Sequence, residues 1–397
     1  MMKKNCNICG KKFKEFLSLG NHPCADTFLK SKKKAKNLKR YPLIVGFCSC
    51  SHLTSIYPVP KHERYEKYDY SYTSDNSPVS RKHFKNIAHK ICKVFKVKKN
   101  DFIVEAGSND GTFLKEIKNF SSPRVLGVDP SKNISNLAKK KKIETMTSYF
   151  NYKTSKKIIS KYGKADLLYG ANVFNHVGNN IDFLKGAFNL LKKNGKLILE
   201  VPDLKSLISK MGFDTIYHEH RHYYSENSIY KILTKQGFKL LKIEKIRYMS
   251  GSIRVFAEKK NSSKKKFIKL NSVSLHEFVI FKKKIQIIIK EINQFIKKNI
   301  DKKNIIYGIG AATKGNTLLN CCELDDSKIK YILDKSKHKI NKHTPGSGIK
   351  IIKENDSYQI KAVLILPWNI TNHLIKKFFK KRKISYTSIP KIIKKIK

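Results

Sequence analysis

Tyr217-His218-Glu219-His220 places a phenol, two imidazoles and a carboxylate in four consecutive positions. Histidine titrates near neutral pH and suits a general base. A neighbouring carboxylate can stabilise the imidazolium that forms, and a tyrosine hydroxyl can donate to a developing oxyanion. Extended to His222, the same run also fits a metal site or a set of solvated surface histidines. The residues alone leave these three open.

A second constellation is Val104-Glu105-Ala106-Gly107-Ser108-Asn109-Asp110-Gly111, which reads as a strand entering a glycine turn and then a helix. Glycine is needed where backbone turns tightly and approaches a ligand. The spacing is G-x-x-x-G, not the G-x-G-x-x-G that receives a dinucleotide pyrophosphate. The following strand ends at Asp129, where a carboxylate can accept hydrogen bonds from both ribose hydroxyls. Together they point to an adenosine-type ligand. A similar turn, Gly308-Ile-Gly310-Ala-Ala-Thr-Lys314-Gly315, offers a helix N-terminus to a phosphate, with Lys314 beside it. A cofactor-free scaffold fits this turn equally, and Asp334 stands where a dinucleotide ribose would bind.

Five of the eight cysteines fall within the first 50 residues. Cys6-x-x-Cys9 is a knuckle that points two thiolates at one Zn²⁺. Cys48-Ser49-Cys50 is a C-x-C: alternate strand residues share a face, but the pair lacks a knuckle turn. Cys50 in an altered turn, His52 and Cys24 are the candidates to complete the set. Four protein ligands leave no open position, so the site reads as structural.

These residues need elements to hold them. Strands are expected at Phe102–Ala106, Val125–Asp129, Asp166–Val173 and Lys196–Val201, with helices at Gly111–Lys118, Ile134–Lys140 and Ile181–Leu191. Leu240–Met249 and Arg254–Glu258 should close this unit as an antiparallel pair. The alternation predicts a doubly wound α/β sheet. Helices are also expected at Arg81–Phe95 and Ser272–Ile300, the latter leading to strands Asn304–Gly308, Ile329–Asp334 and Ala362–Pro367 and a helix at Thr371–Lys381. That second alternation predicts a smaller Rossmann-like unit. The expected limits are 1–60 for a Cys-rich domain, 61–98 for a Tyr-rich linker and helix, 99–262 for the larger sheet, and 263–397 for the long helix and second sheet.

At +54, the chain should favour anionic ligands. Its lysines are spread throughout, with short runs at Lys30–Arg40, Lys139–Lys142, Lys264–Lys266 and Lys380–Lys383, and there is no nucleic-acid motif with aromatic interleaving. Compositional drift is therefore preferred over a dedicated nucleic-acid partner. No apolar run is long enough for an export signal or a membrane span, so no membrane partner is expected and the location should be cytoplasmic.

Across nearly its whole length the chain resembles the sugar C-methyltransferase family. The matching stretches include VEAGSNDGTFL (104–114), VLGVDP (125–130), NVFNHV (172–177), EVPDL (200–204), FDTIYHEH (213–220), GSIRV (251–255), GIGAATKGNTLLN (308–320) and PWN (367–369). The resemblance implies an N-terminal zinc-binding domain, a class I methyltransferase domain and a C-terminal Rossmann-like domain. It implies an S-adenosylmethionine site lined by Glu105, Gly107, Asn109, Gly111 and Asp129, with Asn172 and Tyr72 reaching it.

His220 is then the base, Glu219 its partner, Tyr217 the donor and His176 a residue near the reacting centre. Tyr70 belongs with the substrate, as do Gly310 and Lys314 if the second turn holds its phosphate. The zinc set is Cys6, Cys9, Cys48 and Cys50, although the family has a second C-x-x-C where this chain has C-x-C. The implied reaction methylates C3, the carbon next to the ketone, of a nucleotide-linked 4-keto-deoxyhexose, through an enolate. Methyl transfer to oxygen on another sugar-derived substrate, and a nucleic-acid-binding protein built on Rossmann scaffolds, are the alternatives.

Overall fold

Hydrophobic residues recur at Phe278, Phe281, Ile285, Ile288, Ile292, Phe295 and Ile296, the spacing of one helical face. They fold as the 25-residue helix Leu275–Asn299, whose start is fixed by a capping box between Ser274 and Glu277. This helix does more than link two units. Phe278 packs against Phe16 and Phe47, with ring centroids 4.8 and 4.2 Å apart, so the helix shares one core with the N-terminal sheet and the C-terminal sheet.

The structure, a computed structural model, describes residues 5–260, 270–300, 305–355, 360–378, 384–388 and 394–395. The lysine runs at 264–266 and 380–383 lie outside the described residues, as do residue 304 and the end of the helix expected over 371–381, which is seen over Thr371–Phe378.

The described residues form three sheets. The first is antiparallel, in the order Lys14–His22, Tyr41–Cys48, His52–Ser55 and His222–Tyr224. Its fourth strand follows the Tyr217–His220 segment, so that segment is pinned to the N-terminal sheet.

The second sheet has seven strands, in the order Phe238–Ile246, Ser252–Lys259, Leu191–Pro202, Ala165–Ala171, Phe102–Ala106, Arg124–Asp129 and Thr145–Thr147. The last five are parallel, and Ser252–Lys259 is antiparallel to both neighbours. This is the class I methyltransferase arrangement. The expected strands are present, with shifted ends. The short strand Thr145–Thr147 and the helices Tyr152–Tyr162 and Glu226–Lys235 are additional to the expected elements. The strand expected to reach Met249 stops at Ile246, because Met249 (φ +49°) and Gly251 (φ +115°) turn the chain back towards Ser252.

The third sheet runs Lys350–Lys353, Tyr331–Asp334, Ile306–Ile309, Ala362–Ile365, Ser385–Thr387 and Lys394–Lys395. All pairings but the last are parallel. Among the described residues no helix is long and apolar enough to cross a membrane.

Candidate active site

The second sheet presents its glycine turn at the carboxyl end of Phe102–Ala106, where ligands bind in open α/β sheets. Gly107 adopts φ +66° and Gly111 φ +75°, and a Cβ on Gly107 would come within 2.8 Å of Val173. Asp129 accepts the Asn109 amide at 3.0 Å and the Ser131 amide at 2.9 Å, one on each oxygen. Burial raises its carboxyl to about 6 against the pull of those amides. Each oxygen keeps a lone pair for a further donor.

Asn109 is held by the linker: its Oδ1 accepts the Ser74 amide at 2.8 Å and its Nδ2 donates to the Tyr72 carbonyl at 3.1 Å. The Tyr72 hydroxyl lies 3.1 Å from that of Tyr248. Two enclosed acceptors in this cleft lack partners, Glu105 Oε2 and Asn172 Oδ1. Burial, then the charge of Asp110, raises the Glu105 carboxyl well above its ordinary value. A buried acid short of donors suits an ammonium or sulfonium ligand.

His220 Nδ1 lies 2.8 Å from the Thr215 carbonyl, which accepts its proton. That contact fixes the tautomer and leaves Nε2 as the acceptor, 2.7 Å from the Tyr217 hydroxyl. Burial holds the imidazole at about 4, opposed by the Thr215 carbonyl, so His220 is neutral at physiological pH. His176 stands edge-on to His220, with centroids 4.7 Å apart, and its Nδ1 is 2.7 Å from the Tyr65 hydroxyl. Tyr70 packs next to Tyr65, at 5.9 Å. The linker tyrosines therefore cover this cluster.

One expected arrangement is corrected. Glu219 does not pair with His220: its carboxylate accepts the amides of Ala25 at 3.3 Å and Asp26 at 3.0 Å. In the turn that brings His220 back to Tyr217, the imidazole is met by a carbonyl instead. His218 donates towards the carbonyls of His22 and Tyr41, and among the described residues the group placed to hold a metal is the four-cysteine cluster rather than the histidine run.

Gly310 and Lys314 are engaged by the protein. A Cβ on Gly310 would meet Pro367 at 2.6 Å. Lys314 reaches Asn369 at 2.7 Å and lies 4.0 Å over the Trp368 ring, and desolvation lowers its pKa to about 8. Thr313 donates to Asp26 at 2.7 Å, so the helix start meets the N-terminal domain. These contacts fix Lys314 and the glycine turn against the N-terminal and C-terminal elements. Asp334 accepts the amides of Ala311 and Ser336, the same pair of roles that Asp129 fills in the larger sheet.

The Sγ atoms of Cys6, Cys9, Cys48 and Cys50 all lie within 4.8 Å of one another. Cys9–Cys48 is 3.2 Å and Cys6–Cys50 is 3.7 Å. A tetrahedral zinc with ~2.3 Å bonds sets sulfurs about 3.8 Å apart, so the group fits the metal. The C-x-C pair succeeds because it is not extended strand. Strand Tyr41–Cys48 ends there, Ser51 takes φ +62° and donates its amide to the Cys48 carbonyl at 2.9 Å, and the hairpin turn swings Cys50 inward. Cys24 lies elsewhere, in electrostatic reach of Glu219 and Arg64.

Family models match three consecutive stretches: a zinc binding domain over residues 6–65, a methyltransferase domain over 80–243, and a C-methyltransferase C-terminal domain over 248–387. The C-methyltransferase NovU of Streptomyces niveus is 27% identical over 387 residues, covering 93% of this chain and 91% of that protein. Magnesium protoporphyrin IX methyltransferase of Synechocystis PCC 6803, solved with bound S-adenosylmethionine, aligns at a TM-score of 0.35 and 16% identity, over 45% of this chain and 79% of its own. The plantazolicin methyltransferase BpumL aligns at 0.36 and 14%, over 47% and 86%. The zinc-binding, methyltransferase and C-terminal matches follow one another in a single chain, and one C-methyltransferase aligns to nearly all of it, so the protein is a methyltransferase similar along its length to a C-methyltransferase.

Proposed function

We propose that this enzyme methylates a carbon next to a ketone on a nucleotide-linked sugar, using S-adenosylmethionine. The observation that carries the reading is His220: a buried, neutral imidazole with Nδ1 tied to a carbonyl and Nε2 presented beside a tyrosine hydroxyl. S-adenosylmethionine supplies an electrophilic methyl group on a sulfonium. Glu105, Gly107, Asn109, Gly111, Asp129, Asn172 and Tyr72 line its site. His220 takes the proton from the carbon, and Tyr217 turns its hydroxyl to the enolate oxygen. His176 and Tyr70 hold the acceptor against the base. Glu219 acts indirectly, by fixing the loop to the Ala25–Asp26 segment.

The working domain limits are 1–60, 61–98, 99–262 and 263–397, with zinc as the structural ion of the first. We assign the enzyme to the cytoplasm, because a reducing compartment preserves a thiolate site. The test is incubation with isotopically methyl-labelled S-adenosylmethionine and a panel of nucleotide-linked 4-keto sugars, with the labelled position found by mass spectrometry and NMR. Label on a carbon adjacent to the ketone is expected; label on oxygen would displace the reading.

A further inference from the structure

Among the described residues three arginines are buried in the core, and two of them lack a carboxylate. Arg254 is matched: its Nε donates to Glu200 at 2.8 Å and its Nη1 lies 3.6 Å from Glu244. Arg64 (7% exposed) and Arg221 (6% exposed) are different. The Nε of each is enclosed without a partner. Arg64 spends one hydrogen bond on the His176 carbonyl, at 3.3 Å, and lies 4.9 Å over the Tyr65 ring. Among the described residues the Arg221 guanidinium makes no hydrogen bond or ion pair. Its charged neighbour is Arg64, whose like charge adds to burial in drawing Arg221 down to about 10. Buried acids nearby are already engaged: Glu219 by the Ala25 and Asp26 amides, and Asp26 by Ser71 and Thr313.

The location matters. Arg221 directly follows His220, and its amide donates to the Asn175 carbonyl at 2.7 Å, next to His176. Both polar atoms of the Asn175 side chain are also enclosed and unpartnered. An uncompensated buried charge costs several kcal/mol, so two side by side are retained only if something supplies the counter-charge. A guanidinium offers a planar fork that matches two oxygens of a carboxylate or phosphate.

We propose that Arg64 and Arg221 form an anion subsite beside the His176–His220 pair, which takes a carboxylate or phosphate oxygen of the methyl acceptor. The proposal deepens the functional reading above and rests on it for the identity of the acceptor. Two sources of the anion share this chemistry: a carboxylate on the sugar, and the diphosphate of the nucleotide carrier.

The test is calorimetry on the full chain with S-adenosylhomocysteine, using inorganic pyrophosphate, uridine diphosphate glucose and uridine diphosphate glucuronate in 150 mM salt. Wild type, Arg221→Leu, Arg64→Leu and the surface control Lys185→Ala are compared. Arg221→Leu should weaken at least one probe ten-fold or more, while Lys185→Ala leaves it unchanged. A sugar carboxylate in the subsite makes the glucuronate bind ten-fold better than the glucose, a preference that Arg221→Leu abolishes. A diphosphate there makes both nucleotides bind alike and weaken together.

Because the substitution removes an unpaired buried charge, the melting temperature should hold or rise, which separates lost binding from lost fold. The proposal is overturned if neither arginine variant alters any probe, if wild type binds none of them saturably, or if S-adenosylhomocysteine is lost in parallel. That last result would assign the arginines to the amino-acid carboxylate of the cofactor. Arginine-dependent probe binding by an enzyme that methylates no keto sugar would keep the subsite and remove the functional reading.

Discussion

The carboxylate of Glu219 accepts the backbone amide of Asp26 at 3.0 Å, while the Asp26 side chain accepts Ser71 and Thr313. The acid beside the proposed base thus begins a chain of contacts through the N-terminal domain, the linker and the C-terminal helix. Burial raises the Glu219 carboxyl to about 7. A carboxyl whose pKa rises on folding takes up protons as the chain folds. Its ionisation therefore removes stability as pH climbs from about 4.3, its unfolded value, to about 7. Glu219→Gln cannot ionise. The stability of the variant relative to wild type should shift in its favour, by on the order of 2 kcal/mol, between pH 5 and pH 8. Paired urea melts at the two pH values measure this, and a pH-independent difference would sink it.

Asp129 is the second test. Its two oxygens hold the Asn109 and Ser131 amides, so removing the side chain would disturb the turn as well as the ligand. Asp129→Asn keeps one acceptor and the shape. It should weaken S-adenosylmethionine binding by about 1–3 kcal/mol, the scale of hydrogen bonds to a charged group. Affinity equal to wild type in calorimetry would place the ribose elsewhere.

The larger sheet was readable because its parallel strands are short apolar runs punctuated by turn residues, with Asp129 in register after the glycine turn. The strand Thr145–Thr147 was not, since three residues carry no periodicity. The tyrosines and histidines of the candidate site were visible as residue types. Their pairings were not: Glu219 is adjacent to His220 in sequence yet bonds to residues some two hundred positions away. Arg64 and Arg221 are inconspicuous in the sequence for a related reason. Among 84 Lys and Arg residues, burial without a carboxylate partner distinguishes them, and that is a property of the fold.

The metal prediction turns on Cys50, whose place in the set depends on the hairpin turn. Purified protein should carry one zinc per chain by elemental analysis. Cys50→Ser should lose most of it, and the first thermal transition should fall by roughly 6–12 °C, the size of a ~3 kcal/mol loss in a domain-sized unit. Cys24→Ser should retain the metal, because that thiol lies outside the cluster. Loss of zinc in both variants, or in neither, contradicts the assignment.

With Nδ1 protonated against Thr215, His220 has its lone pair at Nε2, and burial keeps the ring neutral down to about pH 4. The acid limb of kcat/KM should accordingly lie below about pH 5 rather than at the ordinary histidine value of about 6.5. If His220 removes the proton beside the ketone, His220→Asn should slow both methyl transfer and solvent deuterium exchange at that carbon by ~10²–10⁴. Cofactor affinity should hardly move. Tyr217→Phe should slow the same two steps less, since it removes an oxyanion donor and leaves the base in place. His176→Asn separates positioning from proton transfer: methylation slows while some exchange persists. Wild-type exchange in the His220 variant would hand the base role to His176 or Tyr72. No exchange even in wild type, with a keto sugar and S-adenosylhomocysteine bound, would turn the assignment from carbon to oxygen.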